Sequence, residues 1–279
     1  MLSYRHGFHA GNFADVLKHA VLSLVIEYMI QKDKPVFYLE THAGAGGYPL
    51  DSEFVQKNRE YLNGIGKLWH RPASHPQIEP YLKAVQAFNF GENLSYYPGS
   101  PRIARYCLRE HDRMVLWEKH PTELQVLKQE FLNSASVSVS GGDGYEAFKA
   151  CLPPRERRGL ILIDPSYEGS RDYAEVISRM HAGYRRFPTG TYMLWYPVVQ
   201  RTLVEGLLEA CCDAAIPKML YTELCVAPDH ASGKMTGSGL ILINPPWCLQ
   251  NQLKELLPWL TNQLAPADGF FKLQWLNPE

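Results

Sequence analysis

Leu160-Ile161-Leu162-Ile163-Asp164-Pro165-Ser166-Tyr167 joins an apolar, partly β-branched run to an acid, a proline and an aromatic. A run without polar alternation reads as a strand buried on both faces, the kind that parallel sheets use. Its last residues then fall at the carboxyl edge, where open α/β sheets bind ligands. The groups delivered there suit an exocyclic amine on a flat ring. Asp164 and the Pro165 carbonyl can each accept a hydrogen bond, and Tyr167 can stack on the ring face. A second stretch, Leu242-Ile243-Asn244-Pro245-Pro246-Trp247, has the same plan. Choosing between the two decides where the chemistry lies.

Outward from the first stretch, strands and helices alternate. Asn12 or Asp15 can start a helix through Leu17, Val21, Leu24, Val25 and Tyr28, at spacings of three and four. A strand at 36–40 precedes the Gly-rich turn Thr41-His42-Ala43-Gly44-Ala45-Gly46-Gly47-Tyr48. Residues 51–91 read as short helical pieces broken by Asn63-Gly64, Arg71-Pro72 and His75-Pro76, which marks a helical insertion. The core is then assigned to 1–50, with an N-terminal arm and helix, and to 92–279. Tyr97-Pro98-Gly99-Ser100-Pro101 reads as a turn with Ser100 as N-cap and Pro101 at the first helical position.

Helices are expected at 102–110, 121–131, 145–151 and 173–185, and strands at 113–117, 137–140, 192–196, 219–226 and 239–244. The last two strands are separated by too few residues for a crossover helix, so they should pair antiparallel. The expectation is an α/β, Rossmann-like, seven-stranded mainly parallel sheet with an antiparallel terminal hairpin.

The chain has 279 residues, 46% hydrophobic and 20% charged, enough apolar material for one large core. Its net charge of -1 gives no global footprint of a nucleic-acid binder, so such binding must rest on a local basic patch. The six cysteines form no C-x-x-C pair, and no His/Cys cluster has ligand spacing, so a cytoplasmic protein without metal is expected. The apolar stretch 21–30 is short and broken by Glu27, which argues against a membrane span. A monomer is expected.

Three further pieces fall at successive strand ends. The turn at Gly44 lets a ligand approach the backbone, Glu118 can bind a ribose diol, and Asp143 can accept from an adenine amine. A dinucleotide fold would show a third glycine where Pro49 stands, and a cation for phosphate that this turn lacks. Glu40, just before the turn, disfavours a pyrophosphate and suits a ligand carrying an ammonium and a sulfonium. S-adenosylmethionine therefore fits better than NAD. Taken singly, each piece has a bland reading: a tight connection, a surface acid, a plain Gly-Asp-Gly turn.

By spelling alone, Asn244-Pro245-Pro246-Trp247 is the better amino-methyltransferase motif, since its third position is proline. Strand order argues for Asp164, because the strand after the Asp143 strand crosses back beside the Gly-turn strand. Asn244 to Trp247 then reads as a proline-made strand stop with Trp247 packed as a lid. The bland reading of Asp164 is a helix N-cap.

With Tyr4-Arg5-His6, Gly11-Asn12-Phe13-Ala14-Asp15-Val16-Leu17-Lys18-His19, Thr41-His42-Ala43-Gly44-Ala45-Gly46, Tyr97-Pro98-Gly99-Ser100-Pro101, Glu118 and Asp143-Gly144 in place, the whole chain resembles the bacterial 23S ribosomal RNA adenine-N6 methyltransferase family. The fold that the resemblance implies is the class I S-adenosylmethionine-dependent methyltransferase fold with a helical insertion. It also implies that His19, His42, Ser100, Glu118, Asp143, Gly144 and Asp164 contact S-adenosylmethionine. Asp164 would further serve the target amine, and Tyr4 would approach the RNA. This chain departs from the family pattern at Ser166, where proline is usual.

An adenine N6 lone pair is delocalised into the ring. Hydrogen bonds from N6 to Asp164 and to the Pro165 carbonyl would localise it and aim it at the methyl group, with Tyr167 stacked on the extruded base. Tyr4, Arg5, His6, Phe8, His9, Lys18 and His19 interleave rings and cations, an expected RNA contact and lid. Arg155, Arg157, Arg158, Arg185 and Arg186 read more readily as a solvated face. The competing readings are a DNA adenine methyltransferase, a protein-glutamine methyltransferase, and a non-catalytic nucleic-acid-binding module.

Overall fold

The computed structural model describes residues 6–69, 75–229 and 234–277. The first long helix is α1 (Phe13–Ile30), and its N-cap Asn12 accepts from the amides of Ala14 and Asp15. An asparagine there satisfies two donors that the first helical turn leaves unpaired. Nearly all α1 side chains are buried, which accounts for the absence of a polar face. Among the described residues no helix is long and apolar enough to cross a membrane.

Next come β1 (Phe37–Glu40), β2 (Gly47–Pro49), α2 (Glu53–Asn58), α3 (Gly66–Trp69), α4 (Glu79–Gln86) and β3 (Tyr96–Pro98). The strands β2 and β3 pair antiparallel, so the helical segment leaves and returns through one small ribbon. Val55, Ile65, Leu68, Ile78 and Tyr81 join the same hydrophobic cluster as α1, and the Tyr81 and Tyr97 hydroxyls lie 3.1 Å apart. The helix α5 (Ser100–Cys107) has Gly99 as its N-cap. The expected cap at Ser100 is therefore off by one residue, and the Ser100 hydroxyl is free to serve another partner.

The rest of the chain forms β4 (Arg113–Glu118), α6 (Pro121–Glu130), β5 (Val137–Gly141), α7 (Glu146–Cys151), β6 (Gly159–Ile163), α8 (Ser170–Arg186) and β7 (Thr191–Val198). It ends with α9 (Arg201–Asp213), β8 (Met219–Cys225), β9 (Gly237–Ile243), α10 (Leu249–Leu264) and β10 (Phe270–Asn277). One sheet runs in the order β10-β8-β9-β7-β6-β1-β4-β5. The strands β5, β4, β1, β6 and β7 are mutually parallel, and β9 is antiparallel to both β7 and β8. The expected hairpin is present.

Among the described residues the sheet has eight strands rather than the expected seven. The extra one, β10, pairs antiparallel with β8 and is only half buried, as an edge strand with one wet face should be. All five residues of β6 are buried, because its alternate side chains feed two cores. Leu160 and Leu162 join α1, α5 and α10, whereas Ile161 and Ile163 join α7, α8 and α9.

The two proline motifs emerge at opposite edges. The antiparallel register sets Ile243 opposite Tyr192, at the start of β7, so Asn244 leaves the sheet at the amino edge. There its side-chain amide donates to the Pro188 and Gly190 carbonyls, and its own carbonyl accepts from Thr191 Oγ1. Asn244 thus stitches the turn before β7. Trp247 is 80% exposed, which corrects the expectation of a packed lid.

Candidate active site

At β1 the chain connects to β4 on one side, while β6 lies on the other, so a crevice opens at this switch in strand order. Glu40 pairs with Leu116 and with Leu162. Glu118 and Asp164 therefore both emerge two residues beyond that level, flanking the Gly-rich turn. The turn is tied down on both sides, Thr41 N–H donating to the Leu162 carbonyl and Ala43 N–H to that of Trp117. A cavity of about 330 Å³ results, within the usual range for a small-molecule site.

His42, Gly44, Ser100, Glu118, Asp143, Asp164, Pro165, Tyr167 and Lys18 all line it. His19 and Gly144 do not belong to that wall. His19 is fully buried, its Nδ1 2.7 Å from the Tyr97 hydroxyl, and its Nε2, 3.9 Å from Asp15 Oδ1, has no hydrogen-bond partner among the described residues. Burial pushes its imidazole down to about 3, so it is neutral. Gly144 packs so closely that an added Cβ would lie 1.9 Å from the Thr41 carbonyl oxygen. Tyr4 lies outside the described residues.

Glu118 is a two-way clasp. One oxygen accepts from Gly44 N–H at 2.7 Å and the other from His120 N–H at 2.6 Å, which leaves further lone pairs for a diol. Gly44 has φ +60, and an added Cβ would come within 2.7 Å of the Tyr48 hydroxyl. A β-branched residue strains at such a φ. Gly44→Val is expected to weaken S-adenosylhomocysteine binding at least about tenfold and to cost about 1–3 kcal/mol of stability. Calorimetry and thermal melting read the two effects, and wild-type affinity would refute the turn's role.

Beneath the cavity, buried Glu40 accepts from Ser100 Oγ at 2.5 Å and from the Tyr38 hydroxyl at 2.8 Å. With its proton committed there, the Ser100 oxygen can present a lone pair to the cavity. Burial pushes the Glu40 carboxyl up to about 8, and the charge of Asp164 works in the same direction. The folded state therefore holds a proton that the unfolded chain gives up near the ordinary glutamate value, so Glu40 loses stabilising influence as pH rises toward 8. Glu40→Gln cannot titrate, so its melting temperature is expected to gain on wild type between about pH 5 and 8. A difference independent of pH would contradict this.

The Asp164 edge carries a buried charge network that sequence spacing only hints at. Lys18 is 2% exposed, with Nζ 2.7 Å from Asp164 Oδ2 and 3.0 Å from Asp15 Oδ1. It also sits over the Trp195 ring at 5.5 Å. Burial alone would lower the ammonium, but Asp15 and Asp164 outweigh it and hold Lys18 above its ordinary value. Lys18, expected from the sequence to contact RNA, lines the cavity with its buried ammonium shared by two carboxylates. Asp15 is buried too, and it accepts from Gly11 N–H and bonds His6 Nε2 at 2.9 Å. Burial favours the neutral acid, but His6 and Lys18 hold Asp15 well below the usual carboxylate range. Asp15, Lys18 and His19 lie at spacings of three and four on α1, the one signal in the sequence that could join them.

Asp164 is not an N-cap, since α8 starts six residues later with Gly169 as its cap. Its Oδ2 is taken by Lys18, and Oδ1 has no protein partner among the described residues. Tyr167 has φ 46, a left-handed conformation that costs a non-glycine residue about 1–3 kcal/mol. Its hydroxyl donates to the Trp195 carbonyl at 2.7 Å, and its ring packs against Tyr173 at 4.6 Å. The ring is fixed before any ligand arrives. Ser166 lines the cavity between Pro165 and Tyr167. Among the described residues no group of three or more His, Cys, Asp or Glu side chains has metal-holding geometry.

The profile of the family described as "RsmJ: Ribosomal RNA large subunit methyltransferase D, RlmJ" matches residues 33–277. Two proteins named ribosomal RNA large subunit methyltransferase J, from Escherichia coli strain K12 and Haemophilus influenzae, are 49% and 46% identical to this chain, each over the full length of both. A crystal structure of a protein from Legionella pneumophila superposes with a TM-score of 0.89 at 40% identity, covering 96% of this chain and 98% of that one.

Proposed function

The chain belongs to the RlmJ family of ribosomal RNA large subunit methyltransferases, and from that premise we propose that it methylates the N6 amino group of an adenine in 23S ribosomal RNA at the Asp164 edge. The observation that carries the assignment is the placement of Asp164. It stands one strand from the Gly44 turn and across that turn from Glu118, with one oxygen anchored by buried Lys18.

S-adenosylmethionine is the cofactor, and it supplies an activated methyl that carries its own leaving group. Gly44 lets its nucleoside approach the backbone, Glu118 accepts from the ribose hydroxyls and Asp143 from the adenine amine. Ser100 and His42 meet the methionyl end, with His19 Nε2 and Gly144 supporting the wall behind them. The division into a core of 1–50 and 92–279 with an inserted helical unit at 51–91 belongs to the same proposal.

The residues around the target do three things. Lys18 holds Asp164 Oδ2, so Oδ1 is oriented to accept from N6. The Pro165 carbonyl is a second acceptor, and the two bonds together localise the N6 lone pair toward the methyl. Tyr167, pinned by its hydroxyl and by Tyr173, offers a prearranged stacking face for a base turned out of its helix. Tyr4 is assigned to the RNA side. The protein acts as a cytoplasmic monomer in this reading.

Labelled methyl transfer to ribosomal RNA, DNA and protein from cells lacking the modification tests the substrate class. Label is expected in the 23S fraction. Label in DNA or protein instead would replace this reading, and failure to bind S-adenosylmethionine would leave a binding module.

A further inference from the structure

Behind the cavity lies a second depression of about 460 Å³ between α7 and α8, lined by Tyr145, Lys149, Arg179, Arg185 and Arg186, with Glu146 as its acid. Tyr145 is shared with the cavity. Its ring has His42 edge-on at 5.2 Å on the cavity side and the Arg179 guanidinium at 5.5 Å on the other.

One helix face connects the two hollows. Asp172 and Glu175 of α8 line the cavity, while Arg179, Ala182 and Arg186 line the groove. These five positions step by three and four residues, so they form a single stripe. From Glu175 to Arg186 the stripe climbs about 16 Å at the helical rise. The cations along it are differently employed. Arg179 is paired with Glu175 at 2.8 Å, and Arg186 donates to the Leu152 and Lys149 carbonyls, which fastens α8 to the end of α7. Lys149 and Arg185 are exposed and have no carboxylate partner among the described residues. In a chain of net charge -1, two cations without a carboxylate partner among the described residues, on a groove that shares Tyr145 with the cavity, are a local anion track.

We propose that this groove binds the phosphodiester backbone of the substrate RNA where it leads away from the extruded target base, with Lys149 and Arg185 as the phosphate contacts and Arg186 as the residue that positions them. The inference rests on the proposed methyl transfer to RNA and adds to it the path of the strand. An extruded base needs its flanking nucleotides to run past the cavity mouth. The groove supplies charge on the side where α8 leaves that mouth.

The probe is an unmodified 23S ribosomal RNA transcript, with binding measured between about 50 and 200 mM salt. Lys149→Glu with Arg185→Glu is expected to raise the RNA KM on the order of tenfold and to make the slope of log K against log salt shallower by about 1.4, two single-strand phosphate contacts. S-adenosylhomocysteine affinity and kcat at saturating RNA should stay at wild-type values. The milder Lys149→Gln with Arg185→Gln should move the same way by less. A wild-type slope and KM in the charge-reversed protein would overturn the proposal, as would a parallel loss of cofactor affinity. Absence of any methyl transfer by the wild type would instead sink the functional reading, and the salt slope would still decide the groove.

Discussion

Replacing Asp164 with alanine is expected to reduce kcat for methyl transfer on the order of a thousandfold, while S-adenosylhomocysteine affinity changes by no more than about tenfold. The asymmetry comes from the position of the carboxylate. Asp164 follows β6, beside the Gly44 turn, with Oδ2 held by Lys18, and in the proposed reaction its other oxygen is the acceptor that localises the amine lone pair. That interaction strengthens as charge develops on nitrogen, so its loss falls on the transition state more than on binding. Asp164→Asn should be nearly as damaging, because an amide cannot replace a carboxylate acceptor held against Lys18. Turnover within about tenfold of wild type in either variant would contradict the assignment.

Lys18→Met is expected to damage both stability and rate. It removes the ammonium that Asp15 and Asp164 share in a buried setting, and breaking such a network typically costs about 3–5 kcal/mol. For a chain of this size that corresponds to a fall in melting temperature on the order of 10 °C. The pH dependence has a definite sign. Asp15 is held well below the usual carboxylate range, with Lys18 among the charges that hold it there. A depressed carboxylate contributes stability above its unfolded pKa and loses it as pH falls. Without Lys18 the buried acid binds a proton at higher pH, so the deficit relative to wild type should be largest near neutrality and shrink toward pH 5. A melting temperature within about 2 °C of wild type at pH 7, or a deficit that grows on acidification, would refute the network.

Much of this site is legible in the sequence because it sits at strand ends. A buried apolar strand announces itself by composition, and the residues directly after it must lie at an edge, which is why Gly44, Glu118, Asp143 and Asp164 can be grouped before any fold is seen. Strand order also separates the two proline motifs, since an antiparallel β9 delivers Asn244 to the far edge whatever its spelling. The hidden features depend on pairing across distance. Nothing local in residues 270–277 says that they add to β8, the helices α9 and α10 stay unassigned from sequence, and nothing local to Trp247 says that it stays in water. The pairing of Lys18 is hidden because its neighbours in sequence are rings and cations, whereas its partner in space is Asp164, 146 residues away. The α7–α8 groove is invisible for the same reason: Lys149 and Arg185 come from separate helices and converge only after β6 is laid between them.

The most direct test of the central claim is nucleoside analysis by mass spectrometry of unmodified 23S ribosomal RNA incubated with the protein and S-adenosylmethionine. N6-methyladenosine is the predicted product, formed by the wild type and absent with Asp164→Ala. A methyl group on a ring nitrogen, on ribose or on another base would contradict the account, and so would N6-methyladenosine formed at an undiminished rate by the Asp164 variant.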